Sequence, residues 1–484
     1  MAVITSTSGP APAPIPPPGP VAAPTPASSP QRTPRLRTVP GRIRAGAGVA
    51  VLAVGLLSAL MGVALGHAGD GLRTIGHTAG PQVVATADLY YALSDMDAQV
   101  ATVLLAGEEG GPSRKAALDR YDQRRAQADS AVLQAADLAR GDPTGQATVR
   151  AVLDGLGRYE RLVSRALLLD EQSPHVPGPP SQPALDAYRQ ATDLMRLDLL
   201  PKAYNLTLDS GTVVRHAYAA ESSAVLVGRF WVALGGALAL AVLAALQVFL
   251  ARRFRRAINP ALLAATIVVG VLTVAGVLVL QRAADELRVA KEDGFDSVLV
   301  LSRARAIGNS LHGDESRYLL DPQRADTYEQ VYLDKSQSVL YVPAGNLDKY
   351  YAAVDRAVAA FPGEADFLGF YGSEADRVTV PGQRETLAKV LTHYQQFQHD
   401  DRRMRQLATA GKKSDAVRQA MGASFGAYDD TLVELTALRR QAFGAAVAAG
   451  NRALDGWDLL LPGAAVVAGL LILVGVRPRL AEYR

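Results

Sequence analysis

The chain has 484 residues, 49% of them hydrophobic, with 50 basic against 47 acidic residues for a net charge of +3. That length allows two or three domains, and so balanced a charge leaves no footprint for nucleic acid, so no nucleic-acid partner is expected. The absence of cysteine excludes a disulfide framework, a thiolate metal site and a Cys nucleophile together.

Residues 1–44 form a Pro-rich tail containing APAPIPPPGP, with almost nothing to bury; such a segment is expected to stay disordered. Four apolar runs follow at Ala45–Gly66, Ala224–Ala251, Ile258–Leu280 and Trp457–Val476. Each approaches the ~20 residues needed to cross a hydrocarbon core. The first is too long and too far from the start for a signal peptide, so an uncleaved anchor is expected.

Basic residues set the orientation. Arg32, Arg35, Arg37, Arg42 and Arg44 precede the first run, Arg252, Arg253, Arg255 and Arg256 lie in the 252–257 connection, and Arg477, Arg479 and Arg484 fall in the 477–484 tail. All three segments share one side of a four-span topology. The expectation is a multi-pass cell-membrane protein in the lipid bilayer, with both termini cytoplasmic and segments 67–223 and 281–456 outside. The four arginines of the connection are explained by topology alone; coupling to anionic lipid or to a cytoplasmic partner is the alternative.

Both long segments read as all-α, each an up-down helical bundle. In the first, Leu89, Leu93, Met96, Val100 and Val103 make a heptad stripe, as do Val149, Val152, Leu156, Tyr159, Val163 and Ala166. Breakers between them predict helices at 82–106, 113–140, 145–171 and 184–223, the last kinked near Pro201. The second bundle is expected at 282–320, 322–361, 383–410 and 414–455. An internal repeat ties the halves together: Asp70-Gly71-Leu72-Arg73 parallels Asp285-Glu286-Leu287-Arg288, and Leu104-Leu105 parallels Leu319-Leu320 at the same offset of 215. A span–bundle–span unit duplicated in tandem accounts for this. The stripes are compatible with a homodimer, although bundle cores look the same.

Chemistry is sparse. His393 and His399 are six apart, and no HExxH, GxxxxGK[ST], GxSxG or kinase signature occurs. No catalytic residue, metal ligand or cofactor is expected, and the short cytoplasmic segments leave no room for an enzyme domain. The spans lack the mid-membrane ionisable groups a transporter needs. Two clusters remain as candidates for a partner or ligand surface. One is the helix end before Pro322 with Asp314, Glu315 and Arg317, for which a structural role is the simpler reading. The other is the loop Phe361–Gly382 with Phe361, Phe367, Phe370 and Tyr371, which either rests on headgroups or the other bundle, or closes the bundle bottom.

A bundle bracketed by two spans is the layout of a transmembrane sensor. The Pro-rich start, the four spans, the two helical outer domains and the missing output domain together resemble the actinobacterial four-span GlnX-like proteins. That resemblance implies relay of amino-acid availability from a GlnH-like solute-binding lipoprotein to a PknG-like cytoplasmic Ser/Thr kinase. It implies no binding residue at any numbered position. A self-contained small-molecule sensor or envelope scaffold is the alternative reading.

Overall fold

The structure is a computed structural model, described here for residues 39–140, 142–254 and 259–481. The Pro-rich tail up to Thr38, together with Arg255 and Arg256, lies outside the described residues. The described chain is helical, with no strand beyond an isolated bridge between Tyr341 and Leu368.

The first half comprises α1 (Val39–Arg73), α2 (Gly80–Ala106), α3 (Gly111–Leu138), α4 (Pro143–Glu171), α5 (Gln182–Leu194) and α6 (Leu200–Phe254). The second comprises α7 (Pro260–Arg288), α8 (Asp296–Leu320), α9 (Ala325–Val339), α10 (Leu347–Ala360), α11 (Gly369–Ala375), α12 (Gln383–Thr409), α13 (Lys413–Ala420), α14 (Ser424–Leu454) and α15 (Trp457–Ala481). π-helical segments at Thr74–Ala79, Met195–Leu199 and Val289–Phe295 join α1 to α2, α5 to α6 and α7 to α8. Four helical stretches are long and apolar enough to cross a membrane: Val39–His77, Gln182–Arg252, Pro260–Leu320 and Lys413–Pro478. Three run unbroken from apolar segment into the polar head, and the fourth breaks where Gly456 adopts φ 80°.

The apolar segments pack as a four-helix bundle. α1 lies against α6 and α15, and α7 fills the remaining side. The buried stripe of α1 runs Ala47, Ala50, Val54, Leu57, Met61, Ala68 and Leu72. The stripe of α7 repeats it 215 positions on as Leu262, Ala265, Val269, Leu272, Gly276, Ala283 and Leu287. This 3–4 alternation is the spacing of helices crossing at about 20°. Small residues admit close approach: a Cβ on Gly276 would sit 1.9 Å from Met61 Cε, and one on Gly236 would sit 2.2 Å from Thr273.

In the head, the first core gathers Leu93, Met96, Val132, Val152, Tyr159, Tyr188 and their neighbours from α2 to α6. The second gathers Tyr332, Tyr350, Tyr394, Phe397, Tyr428 and their neighbours from α8 to α14. Local chemistry sets the helix ends. Asp142 accepts from the Thr144 and Gly145 N–H groups to start α4, and Asn259 caps α7 before Pro260. The expected single helix over 322–361 is instead α9 and α10, divided by a loop holding Pro343 and Gly345, with Asn346 capping α10. The kink expected near Pro201 takes the form of the π segment ending at Leu199, where the Leu200 N–H donates to Met195 O. Widening the helix just ahead of a proline relieves the clash its ring would otherwise make.

Candidate functional site

The two halves meet along α2 and α8. Ala98 faces Gly313, where a Cβ would fall 3.0 Å from that of Ala98, and Ser94 donates to the Ala306 carbonyl at 3.0 Å. Ala98 and Gly313 are repeat equivalents, as are Met61 and Gly276 in the spans, so equivalent positions touch near both ends of the molecule. That is the signature of a two-fold contact, here within one chain.

Charged side chains flank this seam in two clusters. In the first, Arg317 of α8 is buried and donates to Asp97 at 2.6 Å, Asp314 at 2.5 Å and the Tyr188 hydroxyl at 3.1 Å. Thr192 and Tyr159 complete Asp97 at 2.7 and 3.2 Å. Lys335 donates to Asp314 and Ser310. Burial pushes the Asp314 carboxyl up, but the Lys335 and Arg317 charges outweigh it and hold it below its ordinary value. Burial also draws the Lys335 ammonium down to about 8, against the pull of Asp314. In the second cluster Asp95 accepts from Arg124 at 2.6 Å and Arg120 at 3.3 Å, while Arg305 pairs twice with Asp429 at 2.7 and 2.8 Å. The Arg305 and Arg124 guanidiniums stand 4.3 and 4.7 Å from the Tyr91 ring centroid, a cation–π arrangement.

The anticipated site residues are therefore placed as follows. Asp314 and Arg317 lie inside the seam rather than on a free surface. Glu315 is buried toward α12, 3.1 Å from His312 Nδ1, and the His312 ring stacks on Phe425 at 4.5 Å. Phe367 and Tyr371 are core residues, with Tyr371 bonded to the Tyr428 hydroxyl, and Phe370 packs half-buried against them. That loop closes the second bundle. Arg252 is exposed at the end of α6, and Arg253 is in its last turn. Sequence reasoning missed Asp95, Asp97, Arg305 and Asp429. The sequence hid them: in SDMD at 94–97 two carboxylates flank a stripe methionine, the pattern of the solvated flanks of an amphipathic helix.

A second feature sits where head meets spans. The Gly80 N–H donates to Ile75 O, closing the first π segment. A Cβ on Gly80 would lie 2.1 Å from that oxygen, so only glycine fits. Phe443 of α14 reaches both π regions: its ring lies 3.6 Å from a Cβ on Gly80, and its own Cβ lies 2.8 Å from one on Gly294. The two segments begin at Thr74 and Val289, again 215 positions apart.

Residues 71–219 match the family model of an actinobacterial sensor domain. The match begins at the last turn of α1 and ends in α6 before its apolar segment, so it covers the first half of the head with Asp95 and Asp97 and points to a sensing role. No curated protein matches the chain, and no solved structure does.

Proposed function

We propose that the chain is a transmembrane sensor that relays an extracytoplasmic signal to a separate cytoplasmic protein. Helical continuity carries this reading: α1–α2, α5–α6 and α7–α8 each enter an apolar segment from the head without an intervening loop. A displacement of the head then reaches the far side as a helix shift of ~1–2 Å. The flanking arginines support a topology with both termini and the 252–257 connection in the cytoplasm and the head outside.

In its finer form the signal is amino-acid availability. It arrives through a GlnH-like solute-binding lipoprotein and passes to a PknG-like Ser/Thr kinase, as the four-span layout suggests. Affinity capture of the detergent-solubilised, folded chain tests this. Co-recovery of a solute-binding lipoprotein and a soluble kinase is expected, and recovery of neither overturns the relay. A self-contained sensor is the second reading, favoured by a charged cleft in the second half of the head.

A further inference from the structure

α12 carries a buried arginine whose hydrogen-bonding capacity is incompletely used. The Arg405 side chain is 9% exposed. Its Nε donates to the buried Asp401 carboxylate at 3.0 and 3.2 Å, and Asp401 is itself fixed by the Tyr351 hydroxyl. The guanidinium lies 4.3 Å from the Tyr318 ring centroid and 5.1 Å from that of Tyr332. These contacts fix its orientation. The Tyr351 hydroxyl also lies within side-chain hydrogen-bond range of Arg405, and the Arg405 Nη1 donates to Glu329 at 3.5 Å, well beyond the roughly 2.7–2.9 Å of a charge-assisted bond. Its Nη2 is buried and, among the described residues, has no hydrogen-bond partner. A buried charged donor left open in this way marks a missing acceptor.

Arg405 lines a cleft of about 560 Å³ between α9, α10 and α12, within the range of small-molecule sites. Arg402 stands on the same wall, and Glu329 and Asp348 face the two arginines at 3.5 and 3.8 Å. A bare anion would meet both carboxylates, and a bare cation both guanidiniums. A ligand carrying both charges would meet an opposite charge for each of its ends. An apolar cavity of about 190 Å³ adjoins the cleft through Tyr318 and Thr409 and is bordered by Gly178 and Pro179 of the first half, so a side group on the ligand would touch both halves.

We infer that this cleft binds a small zwitterionic carboxylate, its carboxylate on Arg405 and its ammonium between Glu329 and Asp348. The inference rests on the sensing role proposed above and gives that role a direct ligand site in the second half.

The test is calorimetric titration of the full chain in lipid nanodiscs with glycine, L-alanine, L-glutamate and γ-aminobutyrate, and with acetate and methylamine as half-ligands. At least one zwitterion is expected to bind tenfold or more tighter than either half-ligand. Arg405→Lys should weaken that zwitterion about 100-fold, and Glu329→Gln about tenfold. Glu329 is half-exposed, so its variant keeps the test open should Arg405→Lys misfold. Silence from all four zwitterions at 10 mM, acetate binding as tightly as they do, or unchanged affinity in folded Glu329→Gln overturns the site. Spin labels in α1 and α6 separate this from the sensing proposal. Binding without a distance change keeps the site and removes sensing, whereas a ligand-driven change with unaltered binding in Glu329→Gln removes the site alone.

Discussion

Two neighbouring residues on α8, buried Glu315 and largely covered His312, carry opposite pH dependences. Burial pushes the Glu315 carboxyl well above its ordinary range, and Asp401 adds to this against Arg405. Burial also draws the His312 imidazole down to about 4, which Asp95 opposes. Their contact at 3.1 Å is then a neutral hydrogen bond, with the carboxyl O–H donating to Nδ1. An unfolded glutamate ionises near ~4.3, so the stability contributed by Glu315 is full below that pH and lost as pH rises through the raised value. The His312 contribution runs the other way, present above ~6.5 and lost as pH falls through about 4. Glu315→Gln keeps a donor to Nδ1 and removes only the first dependence. Its stability should exceed that of the parent by a margin that grows from pH 5 to pH 8; a margin independent of pH would contradict the assignment. Arg317→Met probes the seam itself. It leaves Asp97 buried with only Thr192 and Tyr159, and losing one member of a buried pair costs about 3–5 kcal/mol. A loss below about 1 kcal/mol in a denaturation series would show that the seam does not depend on this network.

At the scale of elements, the glycines of the π regions decide how closely α14 approaches. A Cβ on Gly294 would meet Phe443 Cα at 2.9 Å and Cβ at 2.8 Å, backbone and branch point that cannot swing aside. Gly294→Ala should therefore destabilise by about 1–3 kcal/mol. Gly444→Ala on α14 has nothing within 4 Å and should be neutral or stabilise by up to ~1 kcal/mol. Equal effects in the two variants, measured by thermal unfolding, would remove the close approach from the account. Most of these elements were legible beforehand. The helices expected at 82–106, 113–140 and 145–171 fall within about two residues of α2, α3 and α4, because apolar period and Gly/Pro breakers act locally. Val342-Pro343-Ala344-Gly345-Asn346 carried the same kind of signal and was passed over, which merged α9 with α10. The π segments were illegible because their sequences, TIGHTA, MRLDL and VAKEDGF, share no residue pattern. The site was less legible still. Arg405 reads as one more surface charge in DDRRMR until Asp401, Tyr318 and Tyr332 are seen around it.

At the scale of the whole molecule, one chain makes the contact that two copies of a two-span sensor would make. Met61 meets Gly276 and Ala98 meets Gly313, yet the polar residues on either side have diverged. Asp97 of the first half pairs with Arg317 of the second, while their repeat equivalents, His312 and Thr102, make no such pair. A symmetric seam would pair equally well with another copy of itself. The diverged one favours the pairing within the chain and gives the halves unequal roles, as the proposed ligand cleft in the second half would require. Whether head movement can become a signal depends on threading, and the absence of cysteine makes threading measurable with single introduced thiols. Leu133 and Leu368 are 68% and 63% exposed in the two halves of the head, and Arg252 is exposed at the opposite end of α6. In intact cells a membrane-impermeant maleimide should label Leu133→Cys and Leu368→Cys, and should reach Arg252→Cys only after lysis. If Arg252→Cys is labelled first, the arginines face outward and the head faces the cytoplasm. If only one of the two head positions is labelled, the halves lie on opposite sides, which the packing of α2 on α8 forbids for the structure described.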